Sequence, residues 1–106
     1  MIVVINLQNH MNKKQLMVYA VKALIKSGYR LIETEGVAQN LKAKGLPGIP
    51  DIIGRSPSGR FIGLQFESAT ELQAMWIANL NATAHGKAAL IKTPLDVAAF
   101  INDDDG

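Results

Sequence analysis

The sequence has no cysteine, only two histidines, and no apolar run long enough to cross a membrane. Without cysteine the chain cannot form disulfides, thiolate zinc sites or a cysteine nucleophile. His10 and His85 lie far apart in sequence, so a histidine-based metal cluster is not expected. The opening MIVVINLQNH lacks the basic start and the cleavage site of a secretory signal. We therefore expect a soluble, intracellular protein in which any metal is held by oxygen atoms.

Proline and aromatic residues are also scarce. The 106 residues include four prolines and 6% aromatic residues, whereas 48% are hydrophobic. These proportions suit one modest hydrophobic core, so residues 1–106 are predicted to form a single domain. Residues 1–11 are expected to be an apolar arm or an extra strand, and residues 103–106 an acidic tail.

The charges are distributed unevenly along the chain. Residues 1–95 hold all eleven basic residues and five of the nine acids, and the last eleven residues hold the other four acids. A basic body of this kind suits a polyanionic partner. The alternative is a solvated surface that binds nothing.

Hydrophobic periodicity and turn residues predict the order helix, strand, strand, strand, helix, strand, helix. The first helix follows Asn12 as its N-cap and ends before Gly28. The strands YRLIETEG, PDIIGR and RFIGLQFE come next, and the turn SPSG joins the last two. A second helix is capped by Ser68 or Thr70, and the strand KAALIK precedes a helix that starts on Pro94. This order predicts an α/β fold with a mixed central sheet flanked by helices.

The segment GIPDIIGRSPSGRFIGLQFES, residues 48–68, has the pattern of a two-stranded hairpin. In an antiparallel pair the first residue of one strand lies opposite the last residue of the other. Asp51 is therefore expected beside the segment from Gln65 to Glu67. Gln65 and Glu67 are two residues apart and are expected on one face of the strand. Carboxylates that converge at strand ends suit Mg²⁺-dependent hydrolysis of a phosphodiester.

This segment resembles the signature of the PD-(D/E)xK nucleases, Pro-Asp followed by Asp/Glu-x-Lys, and its context resembles their virus-type replication-repair nuclease (VRR-NUC) branch. The residues that fit the branch are Gly48, Pro50, Asp51, Gly54, Gly59, Arg60, Glu71, Leu72, Gln73 and Trp76. The likeness covers most of residues 12–102. It implies a restriction-endonuclease-like fold, Mg²⁺ or Mn²⁺ as cofactor, and DNA, branched DNA included, as partner. It also implies a cytoplasmic role in a bacterial or phage-infected cell.

The resemblance assigns the catalytic positions to Asp51, Gln65 and Glu67. Asp51 matches the metal-binding aspartate, Gln65 falls where the family has its second acid, and Glu67 falls where it has its lysine. Glutamine offers a carbonyl oxygen without charge, so the expected metal ligands are Asp51 and Glu67. Some restriction enzymes of the superfamily also carry Glu or Gln at the lysine position.

Three further residues are candidates to compensate for these departures. Glu33 and Glu35 would supply the missing carboxylate if their strand lies beside Asp51. Lys92, at the end of a later strand, would supply the missing cation. The alternative for each is a solvated position at the end of a strand.

The function predicted from the sequence is that of a nuclease-like DNA-binding domain, and of a Mg²⁺-dependent endonuclease if a second carboxylate lies near Asp51. The alternatives are a catalytically silenced DNA-binding module and a small protein-interaction module. The residues expected to bind DNA are Lys42, Lys44, Arg55, Arg60 and Lys87. A homodimer is expected from the small core, the apolar arm and the resemblance to minimal relatives that pair on branched DNA.

Overall fold

The computed structural model describes residues 11–33 and 48–103. Most of the expected arm and of the acidic tail lie outside the described residues, as do Glu35, Lys42 and Lys44. For Glu33 only the backbone is described. Among the described residues, no helix is long and apolar enough to cross a membrane.

The described chain forms three helices around one four-stranded sheet. The elements are α1 (Lys13–Lys26), β1 (Arg30–Glu33), β2 (Ile52–Arg55), β3 (Phe61–Phe66), α2 (Glu71–Asn81), β4 (Gly86–Ile91) and α3 (Pro94–Asn102). The strands lie in the order β1-β2-β3-β4; the first two pairs are antiparallel, and β3 and β4 are parallel. The predicted element order and the mixed α/β sheet are confirmed.

Each helix begins with a capping box, in which the N-cap and the third helical residue exchange hydrogen bonds between side chain and backbone. The pairs are Asn12 with Gln15, Thr70 with Gln73, and Thr93 with Asp96. These bonds satisfy backbone N–H groups that have no partner inside the helix. They therefore fix where each helix starts relative to the sheet.

The main core lies on the face of the sheet that α1 and α3 cover. It includes Leu16, Ala20, Leu24, Ile62, Leu64, Phe66, Val97 and Phe100. Side chains alternate across a strand, so the even-numbered residues of β3 point into this core and the odd-numbered ones point away from it. The core thus holds α1 firmly against the β2–β3 hairpin.

The opposite face of the sheet is covered by α2, which packs through Trp76. A Cβ built on Gly63 would collide with the Trp76 indole ring, so a glycine at this position lets the helix approach the strand. Leu72 and Met75 of α2 are 48% and 54% exposed. Leu72 and Met75 therefore lie outside the core, and Trp76 makes the contact between the helix and the sheet.

Candidate functional site

Asp51 and Gln65 meet where the ladder between β2 and β3 ends. Backbone pairing reaches Ile52 and Leu64. One step beyond, the Asp51 backbone N–H donates to Gln65 Oε1 at 3.2 Å, and the Phe66 backbone N–H donates to Asp51 Oδ2 at 3.3 Å. Two side chains thus take the place of the next backbone partners, and the expected neighbourhood of Asp51 and Gln65 is present.

The Asp51 carboxylate is buried, and α1 supplies its counter-charge. The Asp51 side chain is 7% exposed, and Lys13 Nζ lies 3.2 Å from Asp51 Oδ2. A buried carboxylate is stable only when cations or hydrogen-bond donors compensate for its lost hydration. Here Lys13 and the Phe66 N–H together provide that compensation.

Lys13 was not among the residues predicted at this site, although the sequence holds one signal for it. Lys13 and Lys14 occupy the first turn of α1, which contains no acidic residue. The helix macrodipole disfavours a cation there by about 0.3–1 kcal/mol. A lysine at a helix start therefore indicates a nearby anion, but the sequence does not identify that anion. The packing of α1 on the sheet brings Lys13 to Asp51.

Both ends of the Gln65 amide are engaged within the protein. Oε1 accepts from the Asp51 N–H, and Nε2 donates to the Ser68 carbonyl oxygen at 3.1 Å. Gln65 is 4% exposed. An ionised glutamate accepts hydrogen bonds only and would lose the bond to Ser68. Gln65 thus ties the start of β2 to the segment that follows β3.

A tight turn centred on Glu67 ends β3. Glu67 has a φ of 67°, and the Ser68 N–H donates to the Phe66 carbonyl oxygen at 2.8 Å. A hydrogen bond that spans one residue of positive φ defines the rarer, strained form of the γ-turn. The Glu67 side chain is exposed, whereas Gln65 is buried. The two-residue alternation that predicted a shared face for them ends at Phe66.

Lys92 follows β4 at the same end of the sheet. The parallel register pairs Phe66 with Ile91, and the Glu67 N–H donates to the Ile91 carbonyl oxygen at 2.8 Å. Glu67 and Lys92 therefore follow neighbouring strands, and Lys92 is exposed. Glu33 ends β1 opposite Ile52 in the β1–β2 register, which places its backbone at this end of the sheet too.

Three of the residues predicted to bind DNA lie among the described residues. They lie at the end of the sheet where the turn joins β2 to β3, opposite the end that holds Asp51. Arg55 ends β2 and is exposed. Arg60 precedes β3, and its Nη2 donates to the Gly86 carbonyl oxygen at 3.3 Å. Lys87 is 4% exposed. Its ammonium group donates to the Phe100 carbonyl oxygen and lies 4.2 Å from the Phe100 ring centroid.

The burial of Lys87 corrects the expectation that it lies on an exposed basic surface. The sequence suggested exposure because lysine is rarely buried unless its charge has partners. Helix α3 packs over β4 and brings the Phe100 ring and carbonyl to the ammonium group. Lys87 is a partnered cation inside the protein, not a residue on the surface.

No family model and none of the curated proteins matches this sequence. A solved structure described as a VRR_NUC domain matches with a TM-score of 0.67 and 12% sequence identity, over 87% of this chain and 96% of that chain. The chain has the VRR-NUC fold. At this identity the likeness shows the fold alone, and it agrees with the fold that the hairpin resemblance implied.

The VRR-NUC fold raises the question of whether the strand-end residues suit a divalent metal. Within residues 11–33 and 48–103, no group of three or more His, Cys, Asp or Glu side chains is placed to hold a metal ion. Asp51 is the buried acid of this part of the chain, and it already faces Lys13. Gln65 brings no charge. As described, these side chains do not fit Mg²⁺, which prefers carboxylates without a competing cation.

Proposed function

We propose that this chain is a DNA-binding domain of the VRR-NUC fold that contacts the phosphate backbone chiefly through α1. The observation that carries the proposal is the charge of that helix, which has four lysines and no acid in 14 residues. Lys14, Lys22 and Lys26 are exposed on the side of the helix that faces away from the core. Lysines that neutralise DNA phosphates release counterions, and this provides sequence-independent affinity.

The cross-strand pair of Arg30 and Arg55 supports the same proposal. The two arginines lie directly opposite each other in the β1–β2 register, and both are exposed. Like charges directly opposite on neighbouring strands destabilise a sheet. A phosphate between them would remove that repulsion, because arginine binds phosphate oxygens in a two-pronged geometry. Arg55 is one of the residues that the sequence predicts to bind DNA, and it belongs to this pair. Arg60, Lys42 and Lys44 remain predicted DNA contacts.

The test is the salt dependence of DNA binding, measured by fluorescence anisotropy with duplex and branched DNA. Replacing Lys14, Lys22 and Lys26 by Gln should make the slope of log affinity against log salt shallower by about 2 to 3. The control, Val18→Gln with Ile25→Gln, changes exposed residues of the same helix without changing its charge. Absence of binding at low salt, or an equal slope for the lysine variant and the control, would contradict the proposal.

A second function, metal-dependent cleavage of DNA, is supported by the strained turn at Glu67. Backbone strain of this kind is often found at functional sites, and this turn lies at the same sheet end as Asp51. Cleavage requires the ion pair of Lys13 and Asp51 to open, so that Asp51 and Glu67 can act as the metal ligands. The test is nicking of supercoiled and branched DNA with Mg²⁺ or Mn²⁺ by the protein, by Asp51→Asn, and by Gln65→Glu combined with Glu67→Lys. Cleavage that Asp51→Asn abolishes would establish the enzyme.

Cleavage that appears only in the double variant would instead identify a silenced nuclease. Asp51→Asn is preferred to Asp51→Ala because asparagine retains an acceptor for the Phe66 N–H. A loss of cleavage in this variant then reports the missing charge rather than a broken strand end. If neither the protein nor the double variant cuts DNA, the endonuclease proposal fails and the DNA-binding proposal is unaffected.

A further inference from the structure

We infer that Lys13 is the resident cation of the strand-end site, and that its ammonium group occupies the electrostatic position of a divalent metal beside Asp51. The ion pair joins Lys13 Nζ and Asp51 Oδ2 at 3.2 Å. Its consequence is that the domain binds a DNA phosphate next to Asp51 without a metal. The DNA part of this inference rests on the function proposed above, and the metal part does not.

Among the described side chains, three that meet at the end of the β2–β3 ladder set the charge in contact with Asp51. Asp51 contributes one negative charge, Lys13 one positive charge, and Gln65 none, so the assembled group is neutral before any ligand arrives. A dication placed at Asp51 would be attracted by one carboxylate and repelled by the ammonium group on the same oxygen. Because Coulomb energy scales with the product of the charges, this repulsion is twice that felt by a monovalent cation. Lys13 therefore opposes a second cation directly.

The structure holds Lys13 in this position. The capping box between Asn12 and Gln15 fixes the first turn of α1, from which Lys13 extends. Leu16 and Ala20, on the same helix, are fully buried in the core and hold that turn against the hairpin. A fixed backbone and a buried acceptor thus hold Lys13 beside Asp51.

Lys13 is nevertheless open enough to meet a ligand. Its side chain is 35% exposed, compared with 7% for Asp51. A lysine ammonium group has three donors, and the carboxylate oxygen uses one of them. The remaining donors suit an anionic phosphate oxygen that approaches from solvent. The chemistry that Lys13 fits is therefore that of a phosphodiester, in agreement with the basic surface of α1.

The experiment measures Mn²⁺ binding by electron paramagnetic resonance and calorimetry, with folding followed by circular dichroism. The variants are Lys13→Gln, Lys13→Gln with Gln65→Glu, Lys13→Arg, and the control Lys14→Gln, which removes an equal charge one residue away. The inference predicts weak binding by the protein, by Lys13→Arg and by the control. Lys13→Gln with Gln65→Glu should bind Mn²⁺ at least tenfold more tightly than the unchanged protein does. The Mn²⁺ affinity of Lys13→Gln alone should lie between that of the unchanged protein and that of the double variant.

Tight Mn²⁺ binding by the unchanged protein that Asp51→Asn abolishes would overturn the inference, whatever the folding of the other variants. Equal Mn²⁺ affinity of Lys13→Gln and Lys14→Gln would also overturn it. A separate arm compares DNA affinity in EDTA and in Mg²⁺ at matched ionic strength, where Lys13→Gln should weaken binding equally in both. If no DNA binds under any condition, the proposed function fails, while the Mn²⁺ results still decide the role of Lys13.

Discussion

Among the described residues, Glu67 is the non-glycine residue with a positive φ, and its value of 67° is one that residues with a Cβ rarely adopt. This conformation costs a non-glycine residue about 1–2 kcal/mol. Glycine adopts it freely but loses more chain entropy on folding, by about 0.5–1 kcal/mol. The difference favours glycine. The turn is therefore a place where the present sequence gives up stability.

Glu67→Gly should raise the free energy of unfolding by about 0.5–1 kcal/mol, measured by urea denaturation. Glu67→Ala removes the same carboxylate but keeps the unfavourable φ, so it should give no such gain. If the two variants are equally stable, or if Glu67→Gly is the less stable, the strain assigned to the turn is wrong. If DNA cleavage occurs and both variants lose it, the carboxylate itself is needed.

Asp51 performs a structural task whether or not it binds a ligand. Asp51→Ala leaves the buried Phe66 N–H without its acceptor and Lys13 without its partner. We expect a loss of about 2–3 kcal/mol in unfolding free energy, since an unsatisfied buried donor costs about 1–3 kcal/mol and the ion pair adds less because Lys13 is partly solvated.

Asp51→Asn is the matched control because its side-chain oxygen still accepts from Phe66. Its loss should be about 1 kcal/mol, the scale of one altered hydrogen bond. Urea denaturation of both variants in one buffer measures the difference. Equal losses would show that the Phe66 bond does not stabilise the strand end.

At the scale of elements, the packing of α2 on β3 depends on Gly63. A methyl group at this position collides with the Trp76 indole ring. Gly63→Ala should therefore lower the unfolding free energy by about 1–3 kcal/mol, the usual cost of overpacking. Adding Trp76→Leu to Gly63→Ala should recover part of that loss relative to Trp76→Leu alone. Additive losses in this double-mutant cycle would contradict the contact.

The elements themselves were predictable because their signals are local. Helix starts such as Asn12 carry a capping residue, and the β2–β3 hairpin carries proline and glycine in its turn. The hairpin register then followed from the turn, and it placed Asp51 beside Gln65. Local patterns were sufficient for this part of the site because both residues belong to one supersecondary unit.

The remaining features of the site depend on contacts between distant parts of the chain. The pairing of Lys13 with Asp51 arises from the packing of α1 against the hairpin. The burial of Lys87 arises from α3, which brings the Phe100 carbonyl to the ammonium group. The turn at Glu67 escaped prediction because neither glycine nor asparagine marks it. Charge and spacing alone therefore predicted that Asp51 and Gln65 lie together, but not the lysine that faces Asp51.

At the scale of the whole molecule, the homodimer stays a prediction. The motivation is the small core together with the apolar segment MIVVINL. Light scattering at tens of micromolar, roughly the range in which weak dimers form, should give twice the mass of one chain. A mass of one chain at that concentration would contradict the prediction. The result does not affect the ion pair of Lys13 and Asp51, which lies within one chain.

At the scale of the whole molecule, the central claim is that this VRR-NUC fold binds DNA with Lys13 in place of a metal. The most direct test is the DNA affinity of the protein in EDTA, which removes divalent metals. The basic residues all precede residue 96, so the body of the protein provides the positive surface. Anisotropy titrations with duplex and branched DNA should give equal affinities in EDTA and in Mg²⁺ at matched ionic strength, each falling steeply with salt. DNA binding that requires Mg²⁺, or no binding in either buffer, would contradict the account.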